Sequence, residues 1–220
     1  MITVHHLNNS RSQRVLWLLE ELGVEYQIKH YQRDSKTMLA PPELKAVHPL
    51  GKSPVITDGD LTIAESGAII EYLVERYGNG KLRPTNETDR LRYTYWMHYA
   101  EGSMMPLLVM KLIHSVIPKR SPALIRPIAN AIVNNVDKNF LGPNLRTNLD
   151  FIESELNKST WFAGDEITAA DVQMSFVMEA SAARGPDGNR PKSAAFVKRI
   201  QERPAYQRAL KKGGPYQLMS

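Results

Sequence analysis

Three short runs in the first third of the chain carry side chains able to handle a small charged ligand. The first, Asn9-Ser10-Arg11-Ser12-Gln13-Arg14, lies where an alternating segment gives way to a helical one. Free N–H groups and the helix dipole at such a junction favour negative charge, and a hydroxyl there can donate a hydrogen bond to an anion. Ser10-Arg11-Ser12-Gln13 fits a helix-capping box equally well, and Ser12 alone can cap. The second run, Gly51-Lys52-Ser53-Pro54-Val55, opens a strand with a proline, whose missing N–H breaks no ladder at that position. A cis Ser53–Pro54 bond, the minority isomer, would turn the Ser53 backbone outward as a pairing edge for an extended peptide. The third run, Ala64-Glu65-Ser66-Gly67, ends a strand and opens a helix. Ser66 reads as an N-cap. The pair can also hold both ends of an amino acid, Glu65 its ammonium and Ser66, through hydroxyl and N–H, its carboxylate.

These runs need elements to position them, and the pattern supplies them. Ile2 to Leu7 alternates as a strand, and Val15, Leu18, Leu19 and Leu22 form a helical stripe that Gly23 ends. Tyr26 to Tyr31 reads as a second strand, followed by a polar loop and a short helix over 42–47. Residues 54–57 and 61–64 form a hairpin about Asp58-Gly59-Asp60. A helix from Ser66 carries Ile69, Ile70, Leu73, Val74 and Tyr77 on one side and stops at Gly78-Asn79-Gly80. The order β-α-β-α-β-β-α is that of a thioredoxin-like α/β domain over residues 1–80. Residues 81–88, with Pro84, form a linker. An all-helical domain over 89–220 follows, beginning with a long helix over 89–114 that Gly102 and Pro106 should bend. Leu145, Leu149, Ile152 and Leu156 mark another helix, with a kink at Gly142-Pro143 before it. Further helices begin near Thr168 and Ser193.

Composition removes several classes of function. The 220 residues include no cysteine, so disulfides, thiolate metal sites and thiol exchange through the protein's own sulfur are excluded. Any thiol chemistry belongs to a ligand's sulfur. The histidines show no metal spacing, and adjacent His5 and His6 point to opposite faces of a strand. The net charge of +5 is spread along the chain, not gathered into the stripe that nucleic acid requires. No uninterrupted apolar stretch approaches the ~18 residues of a membrane span, and no signal sequence is visible, so a cytoplasmic location is expected.

Taken together, in this order and spacing, the three runs resemble the glutathione transferase superfamily, and the first is similar to serine-type bacterial and fungal members. The second half agrees: 96–106 (Trp-Met-His-Tyr-Ala-Glu-Gly-Ser-Met-Met-Pro), Trp161-Phe162-Ala163-Gly164-Asp165 and Ile167-Thr168-Ala169-Ala170-Asp171 are similar to family segments, as is Arg203-Pro204-Ala205-Tyr206. Thr168 and Asp171 also satisfy a capping box on physical grounds alone, which makes both structural. The resemblance implies that Ser10 activates the thiol of glutathione. It implies that Ser53, before a cis Pro54, pairs with the cysteinyl part, that Glu65 and Ser66 hold the γ-glutamyl end, and that Lys52 reaches the glycine carboxylate. Arg11 either anchors glutathione or lies on the surface. Tyr99 and Met105 border the electrophile site or sit in the core. Glu101 either meets the ammonium of glutathione in a partner subunit or is a solvated carboxylate.

The implied activity is attack of glutathione thiolate on a soft electrophile, a small hydrophobic molecule, by a homodimer using glutathione as cosubstrate and no metal. A glutathione peroxidase activity on the same site is the neighbouring enzymatic reading. A glutathione-binding or scaffold protein without turnover is the alternative of a different class.

Overall fold

The computed structural model describes residues 1–37, 39–186 and 188–218. Its N-terminal part is built from β1 (Ile2–Leu7), α1 (Ser12–Leu22), β2 (Tyr26–Tyr31), α2 (Pro42–Val47), β3 (Val55–Asp58), β4 (Leu61–Ala64) and α3 (Ser66–Tyr77). The sheet order is β2-β1-β3-β4. β1 runs parallel to β2, with Ile2 opposite Tyr26, because the α1 crossover returns the chain to the same end. β3 is antiparallel to β1, with His5 opposite Val55, and the Gly59 turn (φ 59°) reverses the chain into β4. Val4, Ile56, Val15, Leu19, Ile69 and Leu73 are fully buried between this sheet and the helices α1 and α3. Gly23 takes the left-handed conformation (φ 69°) and closes α1 as expected.

From Glu87 onward the structure is helical: α4 (Glu87–Tyr99), α5 (Met105–Arg120), α6 (Arg126–Val136), α7 (Gly142–Leu156), α8 (Ala169–Arg184), α9 (Pro191–Gln201) and α10 (Pro204–Gly213). The bend expected at Gly102 and Pro106 is instead a π-helical turn over Ala100–Met104, through which α4 passes into α5. A second π-helical turn, Asp137–Leu141, joins α6 to α7. Both stand just before a proline, Pro106 or Pro143. A proline inside a helix crowds the carbonyl four residues back and offers no N–H, and a turn widened by one residue makes room. Gly142 is required by the same turn, since a Cβ there would lie 2.7 Å from the Asp137 carbonyl oxygen. α6 is not among the helices expected from the sequence; its Ile128 and Ile132 face outward, not into the core.

Within the continuous helical run Glu87–Arg120, an 18-residue window reaches a mean hydropathy of 1.2, apolar and long enough to cross a membrane by composition alone. No such length is visible in the uninterrupted sequence. A core helix passes the same test, and Trp96, Met104 and Leu108 of this run are buried in the helical core. That core also holds Phe162, Val177 and Phe196.

Asp171, in the first turn of α8, is fully buried. Its Oδ2 accepts the Thr168 N–H at 2.8 Å and the Thr168 hydroxyl at 3.1 Å, and its Oδ1 accepts the Phe162 N–H at 2.8 Å. Burial pushes its carboxyl up to about 6 against these three donors. The carboxylate ties the Trp161–Gly164 turn to the start of α8. Asp171→Ala leaves two buried N–H groups without acceptors, each worth about 1–3 kcal/mol. Urea unfolding should show a loss of about 3 kcal/mol with an unchanged m-value.

Candidate functional site

The end of β1, the start of α1, the segment before β3 and the start of α3 meet at one end of the sheet, around a cleft of about 180 Å³. Lys52, Ser53 and Pro54 line one side, Glu65 and Ser66 another, and Arg11 and Glu101 a third. Two further lining residues, His48 and Leu50, are absent from the sequence reading, which has no pattern to mark a loop residue next to a site. Ser10 is 3 % exposed and touches this wall through Ser53, with the two hydroxyl oxygens 3.3 Å apart.

The local backbone explains these placements. The Ser53–Pro54 bond is cis. The Ser53 hydroxyl donates to the His5 carbonyl at 3.1 Å, which pins the segment to β1. Glu65, not Ser66, precedes α3, and it does so at φ 72°, ψ 124°, so Ser66 is the first helical residue and makes no side-chain cap. A non-glycine residue held there costs roughly 1–3 kcal/mol and tends to mark a ligand site. The capping box expected at Ser10–Gln13 is also missing. Arg11 flanks α1 with no side-chain cap, the Ser12 N–H donates to Ser10 Oγ at 3.2 Å, and the Gln13 side chain is buried.

Arg14 is the most consequential residue that the sequence reading passes over. It is 1 % exposed. Its Nη1 donates to the carbonyl and the side-chain oxygen of Gln173, each at 2.7 Å, and its Nη2 to Glu101 at 2.8 Å. Burial lowers its pKa and the Glu101 carboxylate opposes this, so the guanidinium stays charged. Glu101 also pairs with Arg11 at 3.2 Å. Both guanidinium groups stack near the Phe176 ring, at 5.4 Å for Arg11 and 5.3 Å for Arg14. Glu101 therefore lies in the cleft of its own chain, with two cations as partners.

Tyr99 and Met105 lie away from this wall. Tyr99 donates to Asn148 at 2.5 Å and packs on Trp96 and Phe151, and Met105 is 3 % exposed. Among the described residues, no group of three His, Asp or Glu side chains could hold a metal ion.

The chain has known relatives. Residues 1–75 match the family model of the glutathione S-transferase N-terminal domain, and residues 116–204 match that of the C-terminal domain. Glutathione S-transferase 3 of Schizosaccharomyces pombe is 41 % identical over 179 residues, 80 % of this chain and 72 % of its own. The chain belongs to the glutathione transferase family. Glutathione S-transferase 1 of Saccharomyces cerevisiae is 32 % identical over 188 residues, covering 81 % of this chain and 80 % of its own. Among solved structures, a glutathione S-transferase from Actinobacillus pleuropneumoniae is 33 % identical with a TM-score of 0.76, covering 97 % and 93 % of the two chains. The transferase from Xylella fastidiosa, at 19 % identity and a TM-score of 0.78, shares the fold. The α/β and helical halves of this transferase are those of the glutathione transferase fold, and glutathione is the family's cosubstrate.

Because Glu101 is the anionic partner of a cation that water does not reach, Glu101→Gln should weaken the junction between α1 and the helical part. A hydrogen bond to a charged group is worth about 1.5–3 kcal/mol, and Glu101 is partly open to solvent. Denaturant unfolding should show a loss near the lower figure, ~1.5 kcal/mol.

Proposed function

We propose that Ser10 donates a hydrogen bond to the thiolate of glutathione and so readies it for attack on soft electrophiles. The observation that carries this reading is the polarity of the cleft beside Ser10. Its lining joins an acidic side chain, Glu65, and the N-terminus of α3 to the Ser53 backbone and the cations Lys52 and Arg11. A tripeptide with one ammonium and two carboxylates needs that set of partners. Glu65 takes the ammonium, and Ser66 with the first N–H groups of α3 takes the γ-glutamyl carboxylate. The Ser53 backbone pairs with the cysteinyl part. Lys52, with Arg11, takes the glycine carboxylate.

A free thiol titrates near ~8.5 and is mostly protonated at neutral pH. A hydrogen bond to its anion, worth about 1.5–3 kcal/mol, lowers that value by about one to two units. Attack on carbon gives a thioether, and attack on a peroxide oxygen gives the peroxidase reaction from the same thiolate. A cytoplasmic location suits a protein whose cosubstrate is a free thiol, because thiols stay reduced there.

The protein functions in this proposal as a homodimer. Leu91 and Tyr95 on α4, Ile113 and Ile117 on α5, and Ile128 and Ile132 on α6 are exposed apolar side chains that a second copy would cover. Sedimentation equilibrium at micromolar concentration should give twice the 24.9 kDa chain mass; a monomer would refute the assembly.

Turnover of a chlorinated nitroaromatic and of an organic hydroperoxide, each with glutathione, tests the thiolate reading directly. Ser10→Ala should keep glutathione affinity within about threefold, raise the bound thiol's pKa by one to two units, and cut kcat/KM at neutral pH by about 10- to 100-fold. Unchanged kinetics with both substrates would remove the role of Ser10. Tight glutathione binding with no turnover in the unmodified protein would favour the binding-protein alternative.

A further inference from the structure

Ser10 is the near end of a chain of hydroxyl groups leading to a buried histidine. Its Oγ lies 2.7 Å from Ser12 Oγ, which lies 2.8 Å from Nδ1 of His6. Ser10, Ser12 and His6 are 3 %, 0 % and 3 % exposed. The other side of the His6 ring lies against the Gly213 backbone at the end of α10, whose hydrogen bonding raises the ring's pKa; in the tautomer with the proton on Nε2, Nδ1 offers its lone pair to Ser12. The remaining bonds follow from counting protons. Nδ1 accepts from Ser12, Ser12 accepts from Ser10, and the Ser53 hydroxyl is committed to the His5 carbonyl. The Ser10 hydroxyl has two acceptors in reach, Ser12 at 2.7 Å and Ser53 at 3.3 Å, and in the shorter of the two bonds its proton points inward and its oxygen accepts towards the cleft.

We propose that the thiol of bound glutathione loses its proton along this chain, with His6 as the terminal acceptor. The inference rests on the reading of Ser10 given above. The S–H bond breaks as its proton reaches Ser10 Oγ, the Ser10 proton moves to Ser12, and the Ser12 proton forms a new N–H bond at His6 Nδ1. No electrons change hands, and the products are a thiolate and an imidazolium. The transfer reverses each hydrogen bond on its way, so Ser10 ends as a donor to the sulfur anion. After the new bond to sulfur forms, the proton returns along the chain to the cleft, where the leaving group or water takes it. Ser12 and His6 are positioning residues acting through Ser10.

The surroundings of the ring fit an acceptor. Facing it are His30 from β2, 5.6 Å away edge-on, Ser12 from α1, and Gly213 from α10, beside which Gln13 of α1 also packs. Burial and His30 bring the ring down to about 4, so it is neutral at physiological pH; the same shift makes it a weak base, and it holds a proton only while a thiolate stands at the other end of the chain. The carbonyl end of α10 favours a cation there, and so does a thiolate at the other end of the chain. The imidazolium need not accumulate, because each turnover consumes the thiolate.

The test follows the imidazole nitrogens by NMR during pH titration, with glutathione and with S-methylglutathione, which binds alike but has no thiol proton. His6 is assigned with His6→Asn. Glutathione should raise the His6 midpoint by about one unit or more, while S-methylglutathione leaves it unmoved. Ser12→Ala, which cuts the chain and keeps both ends, should abolish that rise. It should also lift the bound thiol's pKa by about one unit, seen by thiolate absorbance, and lower kcat/KM about tenfold with KM for glutathione within twofold. His6→Asn should have the same kinetic effect, and if it fails to fold, Ser12→Ala carries the test. A His6 titration identical with the two tripeptides, or an unchanged thiol pKa in Ser12→Ala, would overturn the relay alone. Calorimetry showing that neither tripeptide binds would remove the reading of the cleft and the relay with it.

Discussion

Arg14 carries a permanent positive charge from α1 into a place that water does not reach, and the structure around the cleft supplies acceptors to its two terminal nitrogens while Nε stays unpaired among the described residues. A guanidinium cannot be neutralised by losing a proton, so its partners must be in position whenever the chain is folded. Those partners come from Glu101, in the π-helical turn after α4, and from Gln173 on α8. One side chain thereby fixes how the first helix meets the helical half. Because Ser10 and Ser12 flank the start of that helix, the same constraint holds them against the cleft. Glu101 in turn holds Arg11 at the cleft wall, so the charge of the wall is tied to the junction between the two halves.

β1 divides its two adjacent histidines between different tasks. His5 points to one face, where its Nδ1 lies 2.9 Å from the Tyr31 hydroxyl, and burial and Lys29 lower its pKa. His6 points to the other face, towards Ser12 and α10. Strand alternation alone gives two like residues unlike surroundings. The Ser53 hydroxyl closes the arrangement by bonding the carbonyl of His5, so β1 supports the cleft through its main chain as well as its side chains.

The strands and most of the helices were legible because their signals are local. The alternation of Ile2–Leu7, the stripe ending at Gly23 and the Thr168–Asp171 box each lie within one element. The three runs that converge on the cleft were legible as a set, since each stands at a junction between elements. Arg14 was not, because its partners lie 87 and 159 residues further on and an arginine on a helix reads as a surface charge. The His6–Ser12 contact was hidden for a related reason. A strand histidine and a helix serine six residues apart signal nothing until the turn between them is known. The box expected at Ser10 keeps the Ser12 N–H bond and lacks the return bond from Gln13, and the cap expected at Ser66 is displaced where the backbone departs from an ordinary helix start at Glu65. Sequence periodicity also cannot tell a proline kink from a π-helical turn, since both interrupt the same stripe.

The turn over Ala100–Met104 holds one residue more than an α-helix needs, yet the rod continues through it to Arg120. Each residue advances a helix by only ~1.5 Å but rotates it by about 100°. A relative lacking that residue would match this chain in length almost perfectly while presenting a different side chain where Glu101 stands. Gapless comparison across this stretch would then equate positions that face different neighbours, so the acid opposite Arg14 has to be matched between relatives by superposition of the helices, not by counting along the chain.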